Sequence, residues 1–285
     1  MPFTKSPLRY PGGKNNTCSF IKNLVAQNNI TTYVEPFAGG AAVAINLLLN
    51  SDVKKIIIND YDRSIYAFWY SVLYRTEQLI HKINNTEIRI EEWYVQKRVQ
   101  NYKDTADLLD LGFSTLFLNR TNRSGIIKGG VIGGKDQSGN YKMDCRYKKP
   151  QIIQKIREIA DRRDSIELYN MDGYDFIDKV IKKTRKSFTF FDPPYFEKGP
   201  SLYTKFYNEK NHEELAKKIK KDLRNRKWIV TYDNHPKIKQ LYSNLEFREY
   251  YLNYSAQNRY KGIEYMFFSK NLDYGRPEDY LKVLQ

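Results

Sequence analysis

An apolar run that stops in an acid and two prolines constrains this chain more than any other feature: Phe190-Phe191-Asp192-Pro193-Pro194-Tyr195. The residues before it read as a buried strand, and two consecutive prolines cannot donate to a ladder, so the strand must end there. Asp192 and the Pro193 carbonyl are thereby fixed at a carboxyl end, the edge where open α/β sheets bind ligands. Both groups accept hydrogen bonds, and two acceptors side by side match the two hydrogens of an exocyclic amino group. The Tyr195 ring offers a face on which a planar base can stack. As an isolated tetrapeptide the motif is equally well explained by a rigid surface turn. The surrounding pattern decides between the two.

That pattern is one of alternation. β-prone runs at Val34 and at 56–58, 165–169, 188–191, 228–232 and 265–268 are separated by stretches with apolar residues at three- and four-residue spacing, at 41–49, 172–182 and 213–224. The texture predicts an α/β fold with a mainly parallel, Rossmann-like sheet. Between its two parts, 65–118 reads as a run of helices with Trp69, Leu73, Leu79, Trp93, Val99, Leu108, Leu109, Leu116 and Phe117 on their core faces. A Gly-rich polar stretch at 121–140 follows, predicting a hairpin or extended loop. Residues 120–149 carry eight basic side chains against two acidic. The simplest partition is a sheet domain built from 1–60 and 150–285, with a mainly helical domain bearing a β-hairpin inserted at 61–149.

Forty-eight Lys and Arg against 33 Asp and Glu leave a net charge of +15, which favours a polyanionic partner through counterion release, although a Lys-rich proteome would show the same bias. Cys18 and Cys145 form no CxxC pair, and His81, His212 and His235 are scattered, so neither a disulfide framework nor a metal site is expected. The longest nearly apolar stretch, 38–49, is interrupted by Asn46 and falls short of the roughly 18 to 20 residues of a membrane span. Residues 1–14 have no apolar core and do not read as a signal peptide, so a reducing, cytoplasmic compartment is expected.

Two further signals carry chemistry. Tyr33-Val34-Glu35-Pro36-Phe37-Ala38-Gly39-Gly40 is a strand, an acidic turn and small residues before a helix N-terminus, where backbone can approach an anionic group closely. Ile56-Ile57-Ile58-Asn59-Asp60 is a second strand ending in an acid about twenty residues after the Gly turn, the spacing at which a carboxylate reaches a ribose hydroxyl. The full GxGxxG is absent, and a helix-packing turn with an exposed Asp would explain both blandly.

Taken in order, Ser6-Pro7-Leu8-Arg9-Tyr10-Pro11-Gly12-Gly13-Lys14, Glu35 to Gly40, Phe117-Leu118-Asn119-Arg120-Thr121 and Asp192 to Tyr195 make the chain resemble the Dam-type, D12-class adenine-N6 DNA methyltransferases over nearly its whole length. Tyr10 stands where many relatives have Trp. The resemblance implies a methyltransferase sheet that uses S-adenosylmethionine and no metal, with Tyr10, Lys14, Asp60 and Asp192 lining the cofactor site and Glu35, Phe37 and Gly39 shaping its loop. Asp192, Pro193, Pro194 and Tyr195 become the catalytic motif. The target adenine would be flipped from the duplex, stacked on Tyr195 with Phe196 or Tyr203 nearby, and methylated by direct transfer. No covalent intermediate is needed, and neither cysteine lies in a Pro-Cys turn.

Double-stranded DNA is then the partner. Arg120, Arg123, Lys128, Lys135, Lys142 and Arg146 are the candidates for phosphate and base edges in the insert, and Asn258 and Arg259 for phosphate late in the chain. In relatives the hairpin often confers specificity for GATC. A monomer or weak dimer from an AT-rich bacterium or phage, working beside a restriction endonuclease, fits these features. Rival readings are an RNA or protein-glutamine N-methyltransferase, since those also place Pro-Pro and an aromatic after an acid or amide, and a DNA-binding protein that has lost catalysis.

Overall fold

The computed structural model describes residues 4–9, 14–196, 207–254 and 260–284, the side chains at 253–254 and 260–261 excepted. Among them, seven strands form one sheet: β1 (Thr32–Glu35), β2 (Lys55–Asn59), β3 (Ile166–Tyr169), β4 (Ser187–Phe191), β5 (Lys227–Asp233), β6 (Phe247–Tyr254) and β7 (Tyr260–Phe268). Their order is β3-β2-β1-β4-β5-β7-β6. The first five run parallel, and β7 lies antiparallel between β5 and β6. This is a mixed, mostly parallel, Rossmann-like α/β sheet, as the alternation predicts.

Every residue of β1 and β4 is buried, because helices cover both faces of the sheet and leave no side for polar alternation. On one face Val34, Ile57, Phe191, Val230 and Phe267 meet α8 (Gly173–Lys179), α9 (Glu209–Asp222) and α10 (Pro236–Leu241). On the other, Tyr33, Ile56, Ile58, Phe188, Phe190 and Ile229 meet α1 (Cys18–Gln27), α2 (Ala42–Leu49) and α7 (Lys149–Ala160). From β1 the chain steps outward to β2 and β3, whereas β4 falls on its other side. A crevice therefore opens outside the carboxyl ends of β1 and β4, at the point where the winding reverses.

The helical middle consists of α3 (Arg63–Tyr74), α4 (Thr76–Asn85), α5 (Ile90–Asn101) and α6 (Leu108–Thr121). Asp62 and Asp107 cap α3 and α6 by accepting from backbone N–H groups of the first turn. Residues 111–119 of α6 are buried without a break, so this helix is enclosed by its neighbours. It meets α3 at Gly112, where an added Cβ would lie 2.3 Å from Ser71 Oγ and 2.5 Å from the Ala67 carbonyl oxygen. Ile65, Trp69, Leu79, Trp93, Phe113 and Phe117 belong to the same hydrophobic cluster as the adjoining face of the sheet. Val99, Leu108 and Leu109, expected in the core, are half-buried.

Several expectations are corrected. In place of the β-hairpin, 122–148 holds one antiparallel bridge, Asn122↔Val131, between short 3-10 turns. Positive φ at Ser124, Gly125, Gly133, Gly134 and Gln137 bends the chain out of the extended region too often for a ladder to form. The helix expected over 172–182 stops at Lys179, and a separate 3-10 turn follows at Ile181–Lys183. The strand β6 and the helices α1 and α7 add to the expected elements, α1 and α7 burying apolar residues at regular three- and four-residue spacing. No helix among the described residues is long and apolar enough to cross a membrane.

Because Gly112 meets the Ala67 backbone carbonyl as well as the Ser71 hydroxyl, Gly112→Ala should lower unfolding stability by about 1–3 kcal/mol. Urea denaturation followed by circular dichroism checks this, and an unchanged midpoint would show that α3 and α6 can move apart freely.

Candidate active site

At the end of β1 the chain makes a tight acidic turn. The Glu35 carboxylate is 5% exposed, and its Oε1 accepts from the Tyr33 hydroxyl at 3.0 Å and the Ala44 backbone N–H at 3.2 Å. Gly39 (φ 47°) and Ala41 (φ 44°) both sit in the left-handed region. That region suits Gly39 and strains Ala41. The Gly39 carbonyl accepts from Trp69 Nε1 at 2.9 Å, and its N–H donates to Asp60 Oδ2 at 2.9 Å. Asp60, just past β2, takes the Asp62 N–H on Oδ1 at 2.9 Å. Asn59 ties this corner together: its amide donates to the carbonyls of Pro36 (2.9 Å) and Met171 (3.0 Å), and its oxygen accepts from the Met171 N–H (2.9 Å). Asp172 caps α8 through the Tyr174 N–H at 2.8 Å, beside Gly173, where a Cβ would lie 3.1 Å from the Phe37 ring.

Carboxylates thus ring the crevice, and the desolvation is felt. Burial pushes Glu35 up to about 8 against its two hydrogen bonds. Burial, with Asp62 alongside, takes Asp60 up to about 7. The acceptors at the ends of β1 and β2, around small residues, suit a ligand that carries hydroxyl groups.

At the end of β4 stands a second cluster. Asp192 Oδ1 lies 2.8 Å from Lys14 Nζ and accepts from Thr231 Oγ1 of β5 at 2.8 Å. Its side chain keeps 24% of its surface, and among the described residues Oδ2 has no hydrogen bond. Lys14, 4% exposed, also lies 3.2 Å from Glu264 Oε2. Glu264 accepts from the Tyr195 hydroxyl on Oε1 (2.9 Å) and from the Tyr250 hydroxyl on Oε2 (2.7 Å). Tyr195 is 4% exposed, and the Lys14 ammonium stands 5.4 Å from its ring centroid. Burial and then Glu264 raise the Asp192 carboxyl, while Lys14 and Thr231 pull it down. Next to it, the Phe196 N–H donates to Asp233 Oδ1 at 2.9 Å, and the Phe196 ring lies 4.5 Å from that of His235.

Lys14, Glu35, Phe37, Gly39, Asp60, Asp192, Pro193, Pro194 and Tyr195, far apart in the chain, thus gather along one edge of the sheet. Tyr10, Tyr203, Asn258 and Arg259 lie outside the described residues. In the 122–148 segment Arg123, Lys128, Lys135 and Lys142 are exposed and Arg146 is half-buried. Arg123 lines an open cavity of about 440 Å³ with Ile132, Asp136, Asn140 and Tyr141, whose ring is 74% exposed. Arg120 requires correction. Its guanidinium turns inward to donate to the Pro7 carbonyl, and burial lowers its pKa to about 10, so it binds α6 to the N-terminal segment instead of facing solvent. Asn119 strengthens the same joint, accepting from the Arg9 N–H at 2.8 Å and donating to the carbonyls of Arg9 (2.6 Å) and Gly125 (2.9 Å). Burial pushes the Cys18 thiol up to about 12, which leaves it inert as a nucleophile at neutral pH.

Thr231, Tyr250, Glu264 and Asp172 were not read as site residues. The first three belong to strands that pair only in three dimensions, and no local motif marks them. Asp172 could have been found as the acid closing the turn after β3, by analogy with Asp60 after β2.

A model of the D12 class N6 adenine-specific DNA methyltransferases matches residues 10–259. The chain is 28% identical over 236 residues to the Type II methyltransferase M.MjaIII of Methanocaldococcus jannaschii, covering 75% of this chain and 78% of that protein. It is 23% identical over 218 residues to the Type II methyltransferase M.CviBI of Paramecium bursaria Chlorella virus NC1A, covering 74% and 77% respectively. With the modification methylase StsI of Streptococcus sanguinis it shares 27% identity over 205 residues, 68% of this chain and 29% of that one.

The raised carboxyls have a consequence for stability. Between about pH 4.5 and 8 the unfolded chain ionises Glu35 while the folded protein retains the proton, so folding weakens as pH rises through that window. Asp60 acts in the same sense between 3.8 and about 7. Urea titrations from pH 5 to 8.5 should show stability falling, with a shallower fall in Glu35→Gln, whose amide oxygen still accepts from Tyr33 and Ala44. Equal slopes would mean that Glu35 ionises normally.

Proposed function

Because this chain belongs to the D12 class of N6-adenine-specific DNA methyltransferases, we propose that it is a site-specific enzyme that methylates N6 of a target adenine within a short duplex sequence. The observation that carries this reading is the state of Asp192. Lys14 and Thr231 hold one carboxylate oxygen, which leaves Oδ2, beside the Pro193 carbonyl, as an acceptor for an amino group. Two acceptors on one amino group draw its lone pair out of conjugation with the ring and aim it. Charge that develops on the nitrogen is met by the Asp192 carboxylate, which accepts the amino hydrogen at Oδ2.

The family uses S-adenosylmethionine, whose sulfonium methyl is the group transferred. The carboxylate-lined crevice suits it. Asp60 and its Gly39 contact would hold hydroxyls, with Phe37 and Glu35 shaping the floor, Tyr10 beside it, and Asp192 and Lys14 on the rim toward the adenine. Positioning the two reactants in line is then the main contribution of these residues.

An adenine inside a duplex cannot reach this edge, so the base is to be flipped out and laid against Tyr195. That ring is 4% exposed and has to be uncovered when DNA binds. We assign target recognition to the 61–149 segment, with Arg123, Lys128, Lys135, Lys142 and Arg146 toward phosphates and base edges, and phosphate contact to Asn258 and Arg259. GATC is the first recognition sequence to test. The names of the relatives, Type II methyltransferases and a modification methylase, fit a protein that marks DNA for a companion endonuclease.

Transfer of labelled methyl from S-adenosylmethionine to unmethylated duplex DNA, with modified sites mapped by sequencing, tests the proposal. N6-methyladenine should occur in one short motif, and Asp192→Ala should reduce transfer by roughly 10³-fold or more while cofactor still binds. Methyl transfer only to RNA or protein would overturn the DNA assignment, and failure to bind cofactor would leave a silent DNA-binding protein. Lys128→Ala and Lys135→Ala should each weaken DNA binding across sequences and reduce its salt slope by about 1. An unchanged slope removes that lysine from the interface.

A further inference from the structure

We propose that Glu264 is a positioning residue for methyl transfer: it sets the places of Lys14 and Tyr195 and, through Lys14, that of the Asp192 carboxylate. The proposal rests on the reading of Asp192 to Tyr195 as the site that grips the target amino group. Glu264 lies on β7, which runs against the parallel sheet and sets it opposite Asp233 of β5 and Tyr250 of β6. That register brings its carboxylate, 0% exposed, to the edge where β4 ends.

Donors from three described residues reach this carboxylate. The Tyr195 hydroxyl donates to Oε1 at 2.9 Å, the Tyr250 hydroxyl donates to Oε2 at 2.7 Å, and Lys14 Nζ stands 3.3 Å and 3.2 Å from the two oxygens. A buried charge is costly, and apolar side chains of similar volume often serve stability as well, so fold support alone does not account for the cluster. What distinguishes it is where it points. Lys14 and Tyr195, two of these donors, are bound to or part of the motif that is to meet the adenine.

The Lys14 ammonium is held between two carboxylates. Glu264 draws it to one side, and so leaves it against Asp192 Oδ1 at 2.8 Å and away from a bridging position that would also engage Oδ2. Without Glu264 the pull on the ammonium shifts toward Asp192, where it competes with the amino group for the acceptor. The Tyr195 ring loses its anchor in the same step. Displacements of this size near reacting atoms act on the rate more than on affinity.

Glu264→Gln tests this, because it keeps shape but puts an amide N–H₂ beside Lys14 and leaves one acceptor for two phenols. With labelled S-adenosylmethionine and duplex DNA, kcat should fall by about 30-fold or more, while KM for DNA and Kd for the cofactor stay within about threefold. Tyr250→Phe, which takes one donor from Oε2 without touching the motif, should lower kcat by a smaller factor of about 3 to 10, again at constant cofactor affinity. Wild-type kcat in Glu264→Gln overturns the proposal. So does cofactor affinity that falls in step with kcat in both variants, which is how a residue supporting only the fold behaves. Should Glu264→Gln fail to fold, Tyr250→Phe decides alone, and an unchanged kcat counts against us. Wild-type protein that methylates no DNA would instead remove the functional reading beneath it.

Discussion

One ammonium group holds this site together. Lys14 enters from the N-terminal segment, is almost wholly buried, and lies within ion-pair distance of Asp192 after β4 and Glu264 on β7. Two carboxylates brought this close in a desolvated place repel each other and would take up protons without a cation between them. With the ammonium there, the end of β4 in the parallel part of the sheet is joined by charge to β7 at its antiparallel edge. The phenols of Tyr195 and Tyr250 complete the shell by donating to the acid that Lys14 only partly neutralises.

The rest of the architecture makes such a cluster possible. Covering helices bury both faces of β1 and β4, so polar groups can leave the core only at the strand ends, and the reversal of winding between those strands places both ends at one crevice. Glu35 and Asp60 occupy the β1 and β2 side, where desolvation dominates and their carboxyls rise. Asp192 occupies the β4 side, where Lys14 and Thr231 oppose the same desolvation. Both halves are lined by acids whose carboxyls burial raises, and on the Asp192 side a buried ammonium stands against them. A hydroxyl-bearing ligand suits one half and an amino group the other.

Much of this was legible in the chain, for identifiable reasons. β4 was plain because Phe190-Phe191 is apolar and Pro193-Pro194 forbids continuation, and the turns at Glu35 and Asp60 were plain because each follows an apolar strand. The helical middle followed from its periodicity. What escaped were relations between strands: Thr231 read as an ordinary strand position, and Glu264 as a residue just before the strand expected at 265–268, until β5 and β7 pair and bring them to Asp192. Arg120 misled because its charge suggested solvent, whereas α6 is enclosed and the guanidinium found the Pro7 carbonyl inside. Glycines at 133–134 suggested a hairpin, but with Ser124, Gly125 and Gln137 they impose more left-handed turns than a ladder tolerates.

The hydrophobic cluster that runs unbroken from the sheet through α3, α4, α5 and α6 bears on how such proteins can change what they recognise. A segment with its own core can be exchanged between relatives as a cassette, because its boundaries cross few contacts. Here a cut at 61 and 149 would divide Ile58 from Trp69, and would sever Asn119 and Arg120 from the N-terminal segment they hold. Recombination at those points would carry foreign side chains into a shared interior. Sequence change is thereby channelled into the loop at 122–148, whose exposed side chains can vary one at a time while the helices beneath stay matched to the sheet.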